Sequence, residues 1–65
     1  MSNIRFAYNG ADTIVQCEPV IYAVVAEAST IAGWPLGTIV DSRETSPTTW
    51  EMTADGKTVT AEVVS

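Results

Sequence analysis

The chain has 65 residues, 46% of them hydrophobic, and a net charge of −5 from eight carboxylates set against Arg5, Arg43 and Lys57. This length holds one domain, residues 1–65, and a domain so small buries only about 60% of the surface its unfolded form exposes. Three scattered cations do not supply the clustered Lys and Arg that a phosphate backbone or an anionic membrane surface demands, so neither nucleic acid nor membrane is expected as a partner.

The first 17 residues read as a hairpin. Ile4-Arg5-Phe6-Ala7-Tyr8 alternates and then meets Asn9-Gly10, a pair suited to a tight turn in which both central residues need positive φ. A two-residue turn there sets Tyr8 opposite Ala11, Phe6 opposite Thr13 and Ile4 opposite Val15. Residues 4, 6, 8, 13, 15 and 17 then share a largely apolar face. The other face carries Arg5, Asp12 and Gln16, with Ile14 as an apolar intruder.

Glu18-Pro19 breaks the strand. From Val20 to Ala32, Val20, Ile21, Val24, Val25, Ala28 and Ala32 fall at helical spacing, Pro19 suits a first turn and Gly33 suits a stop. The β-branched residues of this stretch speak for a strand instead. Its length, its alanines and the absence of an internal turn favour the helix. Gly33-Trp34-Pro35-Leu36-Gly37 reads as a loop, Thr38-Ile39-Val40 as a short strand, and Asp41 to Thr49 as an exposed polar loop.

Trp50-Glu51-Met52-Thr53-Ala54 leads to Asp55-Gly56, a second tight-turn pair. Pairing outward sets Met52 opposite Val59, Trp50 opposite Ala61 and Thr48 opposite Val63. Trp50, Met52, Val59, Ala61 and Val63 then form a core face, and Glu51, Thr53, Thr58, Thr60 and Glu62 a wet one. The expected architecture is α+β, in the order ββαβββ, with two hairpins and one helix packed on a small mixed sheet.

Three segments carry a resemblance: Ile4-Arg5-Phe6-Ala7-Tyr8-Asn9-Gly10, the Glu18-Pro19 bend into an apolar helix, and Trp50-Glu51-Met52-Thr53-Ala54-Asp55-Gly56-Lys57. Together they resemble the small bacterial and phage-encoded ubiquitin-like, or β-grasp, proteins. The resemblance implies a fold that serves protein–protein contact or covalent tagging and is not itself an enzyme. Conjugated members end in Gly-Gly, whereas this chain ends Glu62-Val63-Val64-Ser65, which speaks against tagging. Only eight residues follow Lys57, so the family's final strand is expected to be short or absent. Gly33-Trp34-Pro35-Leu36-Gly37 followed by a strand is also similar to small phage head-decoration proteins, which cement capsid shells as oligomers.

Catalytic chemistry finds few residues to use. There is no histidine to activate a hydroxyl nucleophile. Cys17 is the only cysteine; its inward strand position beside Glu18 raises its pKa and makes it a packing residue. No internal disulfide and no four-ligand zinc site can form. Asp41, Ser42 and Glu44 match no calcium-loop pattern, and Gly33 and Gly37 are followed by no Lys-Ser or Lys-Thr pair that would make a phosphate loop. No catalytic residue, metal or cofactor is therefore expected.

Of the three usual stabilisers of a very small domain, disulfides, metals and partners, only association remains. Trp34, in a loop, and Tyr22, off the main helical stripe, are candidate partner contacts, with Leu36 beside Trp34. The rival reading of Trp34 is a lid folded over the core. A free thiol fits a reducing compartment. The opening Met1-Ser2-Asn3-Ile4-Arg5 lacks a secretory pattern, and the apolar run Val20 to Ala26 falls far short of the ~20 residues a membrane span needs. The expectation is a cytoplasmic protein-binding module, with self-association left open. Two alternatives stand beside it: a capsid-decorating oligomer, placed in the virion, and an acidic phage-type inhibitor occupying a basic groove on a host protein.

Overall fold

A computed structural model describes residues 1–65. In chain order the elements are β1 (Ser2–Tyr8), β2 (Ala11–Cys17), α1 (Ile21–Ala32), β3 (Asp41–Ser46), β4 (Thr49–Ala54) and β5 (Lys57–Val63). The strands form one five-stranded sheet in the order β2-β1-β5-β4-β3, and every neighbouring pair is antiparallel. The protein is a small α+β domain of ββαβββ order. Its sheet is antiparallel throughout, not mixed, because β1 and β5 run in opposite directions where they meet.

Both tight turns form where the residue pairs call for them. Asn9 and Gly10 have φ of 52° and 80°, and Asp55 and Gly56 have 51° and 71°, the positive values that match a two-residue connection to the twist of its strands. The turns fix the registers: Tyr8 lies opposite Ala11, Phe6 opposite Thr13 and Ile4 opposite Val15, while Met52 lies opposite Val59 and Trp50 opposite Ala61. The hairpins then join along β1 and β5, with Ile4 facing Val63 and Phe6 facing Ala61. Their apolar sides merge into one continuous surface.

Helix α1 covers that surface with Val24, Ala28 and Ala32, all buried. These recur at four-residue spacing, which puts them on one side of a helix; the small side chains of Ala28 and Ala32 allow close approach to the strands. Ile4, Phe6, Met52, Val24 and Val59 are the largest side chains fully removed from solvent. The helix starts one residue later than expected, at Ile21, with Val20 as its N-cap residue and Pro19 outside its first turn. Lys57 Nζ donates to the Ala32 carbonyl at 3.5 Å, a cation at the negative end of the helix. No helix is long and apolar enough to cross a membrane.

Three further sequence expectations are corrected. Thr38-Ile39-Val40 is not a strand, and Ile39 is almost wholly exposed. The polar stretch after it, expected as a loop, holds β3 (Asp41–Ser46), because β4 supplies a backbone ladder and a cross-strand ion pair, Arg43 Nη2 to Glu51 Oε1 at 2.8 Å. The last strand is neither short nor absent: β5 spans seven residues and is the middle strand of the sheet.

One conservative change on each face tests this division. Ile4→Val, inside the core, is expected to lower stability by about 1 kcal/mol, and Ile14→Val, on the open face, by less than about 0.5 kcal/mol. Urea unfolding midpoints at constant slope measure both.

Candidate partner-binding surface

The surface is made where α1 ends. Gly33 follows the helix at φ 73°, a left-handed conformation, and the Trp34 N–H donates to the Ser29 carbonyl at 2.9 Å. A bond from the second residue past the helix back to this carbonyl is a Schellman closure, which turns the next side chain onto the last helical turn. Trp34 is accordingly in the core cluster, only 6% exposed. Of the two readings of Trp34, the lid describes its position. Its indole Nε1 is buried without a hydrogen-bond partner, an uncommon state for a buried donor.

The chain then reverses direction. The Thr38 N–H donates to the Pro35 carbonyl at 3.1 Å, and Gly37 has φ of 92°, a type II turn with glycine at the position that requires it. Leu36 occupies the tip, fully exposed at 107% of its reference area. Between this loop and the helix lies a shallow groove of about 440 Å³. One wall is Val25, Ala26, Ser29 and Thr30; the other is Pro35 to Thr38, with Trp34 and Val40 also lining it. Tyr22 is 77% exposed. It lies one turn before Val25 and Ala26 on the same side of the helix.

Electrostatically the groove is blank: none of its lining residues is ionisable. The hydroxyls on its wall are turned inward to their own helix, Ser29 Oγ to the Val25 carbonyl at 2.9 Å and Thr30 Oγ1 to the Ala26 carbonyl at 3.3 Å. The wall is therefore less polar than its residue types suggest. The structure thus brings Trp34 and Leu36 to one crease, which both line, Trp34 from within the core; Tyr22 is not among the lining residues and stands one helical turn before the helix wall. Sequence reading missed the helix wall, Val25 to Thr30, although its spacing from Tyr22 was available.

The charged groups lie elsewhere. On the open face of the sheet Arg5 pairs with Glu62 at 3.2 Å and Arg43 with Glu51, beside a smaller hollow of about 260 Å³. No three His, Cys, Asp or Glu side chains gather as a metal site would require. Comparison with family models, with curated proteins and with solved structures finds no match to this chain.

Cys17, at the end of β2, is buried in the core cluster. Burial pushes its thiol above the ordinary 9.0, and the carboxylates of Glu27 and Glu18 add to the rise. The folded chain therefore holds this proton to higher pH than the unfolded chain does. The stability contributed by the neutral thiol is whole below pH 9.0 and is lost as pH rises through the native value. Unfolding measured at about pH 8 and about pH 10 is expected to show a decline that is smaller in Cys17→Ala.

Proposed function

We propose that this chain is a non-catalytic protein-binding module of ubiquitin-like plan, which docks a partner in the groove between α1 and the loop carrying Leu36. The observation that carries the reading is an uncharged crease lined by Trp34 and by the fully exposed Leu36, with exposed Tyr22 one helical turn before its helix wall. A large apolar side chain held out in solvent beside an uncharged hollow is a common form of interface site. Tyrosine and tryptophan are common among the residues that dominate binding energy.

The chemistry of the partner follows from the lining. A groove without charge offers nothing to a phosphate or an ammonium group, so the partner inserts an uncharged apolar segment. Thr38, also in the lining, is available for a polar contact. The domain's net charge of −5 lies outside the groove and acts at long range, on the rate of encounter more than on the seated contact. The free, buried thiol suits a reducing compartment, and the ubiquitin-like plan rests on element order alone, since the sheet is antiparallel throughout.

Affinity capture with the intact chain tests this. The Tyr22→Ser/Leu36→Ser variant is expected to lose recovery of a captured protein by at least about tenfold. Thr58→Ala, on the opposite side of the sheet, is expected to leave recovery unchanged. Equal recovery with all three chains would place the contact elsewhere.

A further inference from the structure

The two edges of the sheet are built differently. Strand β3 carries Asp41, Arg43 and Glu44, has a register shift between Glu44 and Ser46, and is followed by Pro47. Charges, a bulge and a nearby proline are the devices that keep an edge from pairing with another chain. Strand β2 carries one charge, Asp12, and no bulge; Glu18-Pro19 comes only after the strand has ended. Its seven residues, Ala-Asp-Thr-Ile-Val-Gln-Cys, pair with β1 without a register shift. It also holds Ile14, 55% exposed, a large apolar residue on the open side of the sheet.

The backbone direction along β2 can be assigned. Tyr8 and Ala11 close a two-residue turn and so form a mutually hydrogen-bonded pair. On the other side of β1, Asn3 donates to Ser65 at 3.0 Å and accepts from Val64 at 2.9 Å, so its backbone is turned away from β2. By alternation Ala11, Thr13, Val15 and Cys17 direct their N–H and C=O groups to β1. Those of Asp12, Ile14 and Gln16 point outward from the sheet.

We propose that β2 pairs antiparallel with β2 of a second copy of this chain, about a twofold axis through Ile14. In that register Ile14 faces Ile14 of the copy, and Asp12 faces Gln16. Each outward-directed residue meets another outward-directed residue, so the three from each copy form a continuous ladder. A shift by one residue would set outward groups against inward ones. A shift by two moves the axis to Thr13 or Val15, shortens the overlap and strips Ile14 of its mate. The strand's one charge lands opposite an amide and far from its own copy, which avoids the like-charge opposition that destabilises cross-strand pairs. A second copy is favoured over an unrelated strand because this single register satisfies backbone, charge and apolar contact together, and a twofold interface must be self-complementary in this way.

Each copy carries a net charge of −5, so added salt should strengthen the association by screening the repulsion. Sedimentation of the intact chain against concentration is expected to rise from 6.9 kDa toward twice that mass, and further at raised salt. Ile14→Lys sets two cations face to face and is expected to raise the dimer dissociation constant at least about a hundredfold, with an unchanged circular-dichroism spectrum. Amide exchange on the unaltered chain gives a reading independent of any variant. The N–H groups of Asp12, Ile14 and Gln16 should gain protection with concentration, while those of Thr13 and Val15 are protected throughout. A chain that stays at 6.9 kDa, or a dimer whose Asp12, Ile14 and Gln16 amides exchange freely, would overturn the proposal.

Discussion

Each hairpin of this domain owns an apolar side, and neither hairpin has enough of it to stand alone. The antiparallel seam between β1 and β5 makes a core from the two. It brings Ile4 against Val63 and Phe6 against Ala61, residues more than fifty positions apart, and so lines up the buried side of the first ribbon with that of the second. A two-stranded ribbon is marginal in water, whereas several strands under a helix are not. The five-stranded sheet has buried, satisfied strands at its middle because this seam closes there. The loss of chain entropy on closing so long a loop grows only slowly with its length, and the apolar burial that follows offsets it.

What the residues disclosed in advance depended on whether the signal was local. Asn9-Gly10 and Asp55-Gly56 carry their own conformational demand, and with them came the correct pairing of Phe6 with Thr13 and of Met52 with Val59. The helix was legible from the spacing of Val24, Ala28 and Ala32 despite the β-branched side chains around them. The direction of β5 beside β1 was not, because nothing local states it. Strand β3 was missed for a related reason: Asp41-Ser42-Arg43-Glu44 has little intrinsic preference for extended structure and is a strand through its neighbour. The position of Trp34 was within reach. A glycine ending a helix with an apolar residue directly after it signals a Schellman closure, and weighing Gly33 with Trp34 would have turned the indole inward.

Coverage of the sheet explains the crease. Five strands span about 19 Å across at the usual spacing, while a helix with its side chains is about 10–12 Å wide. One helix over five strands leaves a margin open. The loop from Trp34 to Val40 fills part of it, with Trp34 in the core and Val40 packed against it. A helix and a loop that cover one sheet side by side meet along a furrow, so the groove is a by-product of economical coverage. The exposure of Leu36 is not a by-product. A type II turn needs its glycine at the third position, where Gly37 stands, but places no apolar demand on the second, and a polar residue there would have served the fold as well.

The same distinction separates the two edges. An edge strand in a small acidic domain needs only a few charges to be left alone, and β3 has them on every other position or closer. Strand β2 could have carried a lysine at position 14 at no cost to the core, since that side chain points away from the helix. It carries isoleucine, in the middle of seven residues whose outward backbone groups repeat symmetrically about it. A fold that protects one edge with charge and a bulge and leaves the other flat and apolar at its centre has two different requirements at its two ends, and backbone pairing is the interaction that a flat edge is suited to make.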